Sequence, residues 1–397
     1  MTESSGDFIP YSRQWISEED ILAVVEVLRS RLITQGPLIE EFEKQVAAFC
    51  GARYAVAVSS GTAALHAACF AASVGSGDEV ITTPLSFSAT ANCVLYQGGT
   101  PIFADILPGT LTIDPNEVSK HLTSRTRAII PVDFGGLPAD LDAINDIARK
   151  NGILVIEDAA HALGATYHGR KIGGISDMTI LSFHPVKHIT TGEGGMILTD
   201  NRMFFERLKQ FKTHGITREP LRCEHYEGGW YYEMQELGYN YRVTDLQCAL
   251  GLSQMKRIAE FLQQRREIAQ RYCEAFKNRD DITLQTLPSD RQSSNHLFPV
   301  RLNLTSLRST RRAIFDRLRD LGIGVNVHYI PIHLQPYYRK RFGFKRGDYP
   351  LAEDYYDAAL SLPLFPKMTT ADVDRVIATM RTVLDAAMEG SLVVRAD

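Results

Sequence analysis

The stretch SDMTILSFHPVKHITTGEGG (176–195) opens on a short apolar run and empties into a polar, glycine-rich loop that carries Lys187. Twenty-nine positions earlier, Asp158 ends a second apolar run in ILVIEDAAHALG (153–164). Runs this short, apolar throughout and bounded by turn residues read as buried strands. A lysine and an aspartate at the ends of two neighbouring strands can serve a pyridoxal phosphate (PLP) cofactor. The amine would form the Schiff base, and the carboxylate would hold the pyridine nitrogen protonated so that the ring accepts electrons. Each residue alone also has a plain reading, because most lysines are solvated and many strand-end aspartates only cap a helix.

Working outward, strand-like runs alternate with helical ones. YAVAVS (54–59), EVITTP (79–84), PIFADI (101–106), RAIIPVDF (127–134) and GGMILT (194–199) are apolar and bounded by turns. Helical patterns from Thr62, over SATANCVLYQ and over DLDAINDIARKNG separate them. This predicts the α/β class, a mostly parallel central sheet covered on both faces, with ligands bound beyond the carboxyl ends of the strands. Ser60, Pro84, Asp158 and Ser182 fall at such ends. After about Val243 the pattern changes to one long helical stretch over 244–276. HLFPVRLNL (296–304), a helix over RSTRRAIFDRLRDLG and IGVNVHYIPI (323–332) then suggest a smaller α+β domain. The expected division is 1–250 for the large domain and 251–397 for the small one.

With 397 residues, 44% hydrophobic and 23% charged, the chain can bury two cores. A net charge of −4 gives no basic footprint for nucleic acid and no polybasic membrane anchor. The polar start MTESSGDFIPYSRQ lacks the order of a signal peptide. Six scattered cysteines without paired spacing favour reduced core thiols and the cytosol. The tail MEGSLVVRAD (388–397) carries no readable signal.

SSGTAALHAA (59–68) follows a strand and begins a helix, so its first N–H groups and the dipole suit a phosphate dianion. Gly61 allows close approach and Thr62 adds a hydroxyl; the alternative is an ordinary helix cap. Phe87, just past a strand, could stack on a cofactor ring or simply be core. His161, three residues after Asp158, could contact the ring or be a structural histidine. Ser182 could reach the same phosphate, and His184 and His188 flank Lys187. No metal site is expected, because the histidines and carboxylates lack ligand spacing on one element.

SSGTAAL, TPLSFSATAN, EDAAHALGA, SFHPVKHITTGEGG and GYNYRVTDLQCALGL, in this order, resemble the DegT/DnrJ/EryC1/StrS nucleotide-sugar aminotransferases, from about Tyr11 to Pro363. The resemblance implies PLP-dependent enzymes of fold type I. Lys187 is then the cofactor-bearing lysine, Asp158 the ring-nitrogen partner and Phe87 a stacking residue. Gly61, Thr62 and Ser182 match the phosphate cradle. Asn240 matches a residue reaching the neighbouring subunit's site, which implies a homodimer. IPYSRQ (9–14), SRLITQGP (30–37), SSNHLFPV (293–300) and GVNVHYIPIH (324–333) look most like the UDP-4-amino-4,6-dideoxy-N-acetyl-β-L-altrosamine transaminases of pseudaminic acid biosynthesis. That similarity implies substrate contacts at Tyr11, at Arg31, Leu32, Ile33 and Thr34, and at Val325, Asn326, Val327 and His328. Gly61, Ser182 and Asn240 are expected where cofactor and substrate meet. The implied reaction takes the amine of L-glutamate to a UDP-linked 4-keto sugar. The rival readings are a bacillosamine- or perosamine-type substrate, a sugar dehydratase (whose relatives carry histidine in place of the lysine) and a non-catalytic regulator.

Overall fold

The seven apolar runs of the first half pair into one sheet in a computed structural model that describes residues 8–392. Met1–Asp7 and the last five residues of the tail, Val393–Asp397, lie outside the described residues. The strands are β1 (Tyr54–Val58), β2 (Glu79–Thr82), β3 (Thr100–Phe103), β4 (Thr126–Ile130), β5 (Leu154–Asp158), β6 (Met178–Ser182) and β7 (Gly195–Thr199). Their order is β1-β7-β6-β5-β4-β2-β3. Six run parallel, and β7 alone is antiparallel to both its neighbours. Alternation sends successive side chains to opposite faces, and both faces are apolar. Ile129, Val155, Leu181 and Met196 pack into one core, while Ile130, Ile156, Ile180 and Ile197 pack into another. That is why the strands read as continuous apolar runs.

Helices cover the two faces. α1 (Glu18–Arg29) and α2 (Pro37–Cys50) precede the sheet, and α3 (Gly61–Ala71), α4 (Ala89–Tyr96) and α5 (Leu141–Asn151) connect its strands. The long helix expected over 244–276 is two helices, α6 (Asp245–Met255) and α7 (Ile258–Phe276). Neither glycine nor proline marks the break. Arg257 leaves the helical region there (φ −108°, ψ 4°), with its guanidinium over the rings of Trp15 and Phe261 at 4.3 and 4.7 Å. Tertiary packing, invisible to local periodicity, sets the kink.

α7 then crosses from one core to the other: Phe261 and Leu262 belong to the sheet's core, Ile268 and Tyr272 to a separate one. The separate core is built on a three-stranded antiparallel sheet, β8 (Ile282–Leu284), β9 (Phe298–Leu302) and β10 (Ala359–Leu362). The 323–332 segment forms no regular strand there. Ile9 bonds to it at one end, from its N–H to the Gly322 carbonyl and through its carbonyl to the Gly324 N–H. Beyond a single bridge from Asn326 to Ser361 the chain turns away towards the main sheet. Among the described residues, no helix is long and apolar enough to cross a membrane.

Candidate active site

The carboxyl edge of the main sheet, where β1, β5 and β6 end, opens into a cavity of about 570 Å³. Ligand pockets commonly hold ~300–1,000 Å³. Ser60, Asp158 and Ser182 reach it from the strand ends, Lys187 from the loop after β6, and Asn326 to Tyr329 from the other core.

The Lys187 loop is closed at its neck, because Phe183 N–H donates to the Gly194 carbonyl (2.9 Å) and Thr191 N–H to the Phe183 carbonyl (3.1 Å). Lys187 Nζ lies 3.5 Å from Nε2 of His296. Burial disfavours the ammonium and pushes Lys187 down to about 7; Asp158 opposes this and Arg265 adds to it. Burial therefore favours the free amine. Asp158 is 5% exposed. Its Oδ2 accepts from the Thr90 hydroxyl at 2.7 Å and its Oδ1 from the Ala160 N–H at 3.2 Å. Burial raises its affinity for a proton, while those two donors and Lys187 favour the anion.

Ser60 caps α3, accepting from the Ala63 N–H at 3.1 Å. In a helix's first turn the amides of Gly61 and Thr62 have no intrahelical acceptor, which makes this end an anion site. A Cβ on Gly61 would stand 3.3 Å from Ser182 Oγ, so the glycine is what lets that hydroxyl sit over the helix start. The donor set fits PLP: a partly unprotonated amine for the aldehyde, a buried carboxylate for the ring nitrogen, and a helix start with Ser182 for the phosphate. Two buried ring nitrogens, Nδ1 of His161 and Nδ1 of His296, have no hydrogen-bond partner among the described residues.

The His161 ring lies 4.3 Å from that of His296, tilted by 43°, and shares a 3.1 Å hydrogen bond between its Nε2 and the Tyr329 hydroxyl. Phe87 stands exposed on the cavity's lip, 6.2 Å from the Tyr329 ring. Tyr11 lies 5.4 Å from the His328 ring, whose Nδ1 is held by Ser361 Oγ at 2.8 Å. Asn326 and Val327 line the same wall.

Other expected positions lie elsewhere. Arg31 and Leu32 line a separate groove of about 480 Å³ between α1, α2 and α6. The Ile33 carbonyl accepts from Asp245 N–H at 3.1 Å, and Thr34 bridges to Thr244. Val325 is 1% exposed and packs in the second core. Asn240 is exposed, bridged to Thr213, and does not line the cavity. Sequence reasoning missed Thr90, His296, Tyr329 and Glu193, which line the cavity, and Arg265 beneath it. Thr90 had a signal, since it sits one helical turn past Phe87 in PLSFSAT. Arg265 had none, being one charged residue in a helix full of them.

The model of the DegT/DnrJ/EryC1/StrS aminotransferase family matches residues 14–381. The spore coat polysaccharide biosynthesis protein SpsC of Bacillus subtilis (strain 168) is 43% identical over 388 residues, covering 98% of this chain and all of SpsC. Helicobacter pylori PseC, an aminotransferase involved in the biosynthesis of pseudoaminic acid, superposes with a TM-score of 0.89 at 32% identity, covering 96% of this chain and 100% of PseC. A putative sugar aminotransferase of Streptococcus pneumoniae, Spr1654 in its PMP form, gives 0.90 at 31% identity over 96% of this chain and 99% of its own. The chain therefore belongs to the DegT/DnrJ/EryC1/StrS aminotransferase family and is a sugar aminotransferase that works with pyridoxal phosphate.

Proposed function

We propose that this enzyme moves an amino group from L-glutamate to C4 of a UDP-linked 4-keto-6-deoxy-N-acetylhexosamine, in pseudaminic acid biosynthesis, as a cytoplasmic homodimer. The observation that carries the reading is one cavity that joins Lys187, Asp158 and the Gly61–Ser182 cradle to a wall of Tyr11, Asn326, Val327 and His328. The likeness to PseC supports the sugar. In this reading residues 1–250 form the PLP-binding domain and 251–397 the small one.

PLP, when bound, supplies an electron sink for charge developed at the carbon that gains or loses a proton. Lys187, whose ammonium burial disfavours, would act as the base on the donor's Cα proton in one half-reaction and as the acid that delivers a proton to sugar C4 in the other. A positioned base and acid of this kind is worth ~10²–10⁴-fold. Asp158 keeps the ring nitrogen charged, and the cation there repays the cost of burying the carboxylate. Gly61, Thr62 and Ser182 hold the phosphate, and Phe87 and His161 bound the ring. Asn240 and the exposed Arg31–Thr34 stretch serve the partner subunit's site; Val325, being buried, acts only through its backbone.

The higher identity to SpsC favours a second reading, the same chemistry on another nucleotide 4-keto sugar. Purified protein with PLP and L-glutamate is offered UDP-linked 4-keto-6-deoxy-L-arabino and D-xylo sugars separately, with products followed by mass spectrometry. Amination of the L-arabino sugar alone is expected. Amination of the D-xylo sugar alone overturns the substrate and keeps the chemistry. Lys187→Ala should abolish turnover with either, and retained transamination would sink the mechanism.

A further inference from the structure

Arg265, midway along α7, is 0% exposed. Among the described residues no carboxylate pairs with it; its acceptors are all backbone carbonyls. Nη1 donates to Leu364 O (3.1 Å), Asn295 O (3.3 Å) and His296 O (3.3 Å), and Nη2 to Val186 O (3.4 Å). A buried cation is normally compensated by an anion, and here carbonyl dipoles take that part.

Those carbonyls are not a random set. Val186 immediately precedes Lys187. His296 is the residue whose ring stands 3.5 Å from Lys187 Nζ. Leu364 donates its N–H to the Tyr11 carbonyl at 3.0 Å, so it carries the wall opposite. We propose that Arg265 is a positioning residue: it ties the Lys187 loop, His296 and the Tyr11 wall to one buried cation, whose charge acts on the Lys187 amine alongside burial. This rests on Lys187 being the reacting amine.

Burial acts most strongly on Lys187, and among the charged groups around it Arg265 is the one that works in the same direction. Asp158, at the end of β5, works in the opposite direction. His161, His188, His296 and His328 are kept neutral by burial, so they add no positive charge at pH 7. Glu193 enters the cavity from the same loop as Lys187. Burial pushes Arg265 itself down only to about 9, so it is still a cation there.

The test is competitive acylation of the full-length, cofactor-free protein with acetic anhydride across pH, read at the Lys187 peptide by mass spectrometry. Wild-type protein is expected to show a midpoint near neutrality. Arg265→Met should raise it by about one pH unit, roughly a tenfold loss of labelling at pH 6. Arg265→Gln keeps N–H donors for the carbonyls without the charge. It should shift the midpoint in the same direction, and it decides the question if Arg265→Met fails to fold. Leu318→Ala, which loosens the second core elsewhere, should lower the melting temperature and leave the midpoint alone. An unmoved midpoint in folded Arg265→Gln overturns the proposal, as does an equal shift in Leu318→Ala. A wild-type Lys187 that labels like a surface lysine overturns this proposal and the Lys187 assignment together.

Discussion

The Thr90 hydroxyl donates to Oδ2 of Asp158 at 2.7 Å, and it is itself bonded to Ser86 Oγ at the same distance. A chain of two hydroxyls thus ends on the carboxylate that faces the cofactor's ring nitrogen in the proposed mechanism. Thr90→Val keeps the shape and removes the donor. Because burial already raises the carboxyl's proton affinity, losing Thr90 raises it further and weakens the anion. The expected cost is about 1–3 kcal/mol, seen as PLP affinity at least several-fold weaker in an absorbance titration. An unchanged dissociation constant would refute the role given to Thr90.

Two glycines of the Lys187 loop separate packing from strain. A Cβ on Gly195 would run into the backbone of Ser60 and stand 2.7 Å from Gly61 N, the cradle itself. Gly192, at φ 80°, has nothing within 4 Å of its absent Cβ. Gly195→Ala should therefore cost ~1–3 kcal/mol from overpacking and also weaken PLP binding. Gly192→Ala should cost about 1 kcal/mol from backbone strain and leave PLP binding intact. Denaturant melts paired with PLP titrations check both halves.

Acid should destabilise the fold through His66, which is 2% exposed on α3. Its ring bonds the Tyr241 hydroxyl (3.0 Å) and the Gln97 amide (2.7 Å). Burial lowers it from 6.5 to about 4, so the unfolded chain takes up this proton first. Its contribution to stability is intact above pH 6.5 and declines as pH falls towards 4, by about 2 kcal/mol at pH 5. His66→Gln should narrow the gap in melting temperature between pH 7 and pH 5. An unchanged gap would place the acid sensitivity elsewhere.

Asp245 holds the start of α2 from more than two hundred residues away. Its carboxylate accepts from the N–H of Gly36 (2.7 Å) and of Leu38 (3.1 Å). Two charge-assisted bonds on one buried anion make Asp245→Ala cost roughly 2–4 kcal/mol. Asp245→Asn should cost less, because one amide oxygen can still accept. Urea midpoints of the two variants should fall in that order.

The seven sheet strands and their helices were legible because a sheet buried on both faces leaves unbroken apolar runs. Lys187, Asp158, Gly61, Thr62 and Ser182 were legible for a related reason: each ends or follows such a run and so lies at the same edge. The kink at Arg257 was not, since it depends on Trp15, more than two hundred residues earlier. Nor was the irregular course of 323–332, whose apolar residues scatter: Ile323 and Val325 pack in the second core, Val327 lines the cavity, Ile330 is exposed and Ile332 packs against Phe103 and Tyr338. His296 lay in plain sight in SSNHLFPV, but its nearness to Lys187 follows from the meeting of two cores rather than from spacing.

The Lys187 loop leaves β6 and returns through antiparallel β7 at the same edge, so the reactive end of the enzyme is staked down twice. The Asn326–Tyr329 wall is hung from Ser361 of β10, on the other core. In the proposed function, changes among residues packed around Ser361 would therefore act on the substrate wall through Asn326 and His328, away from Asp158 and the Gly61–Ser182 cradle. A lineage built this way could retune that wall from the second core, with the carboxylate and the cradle left on the main sheet.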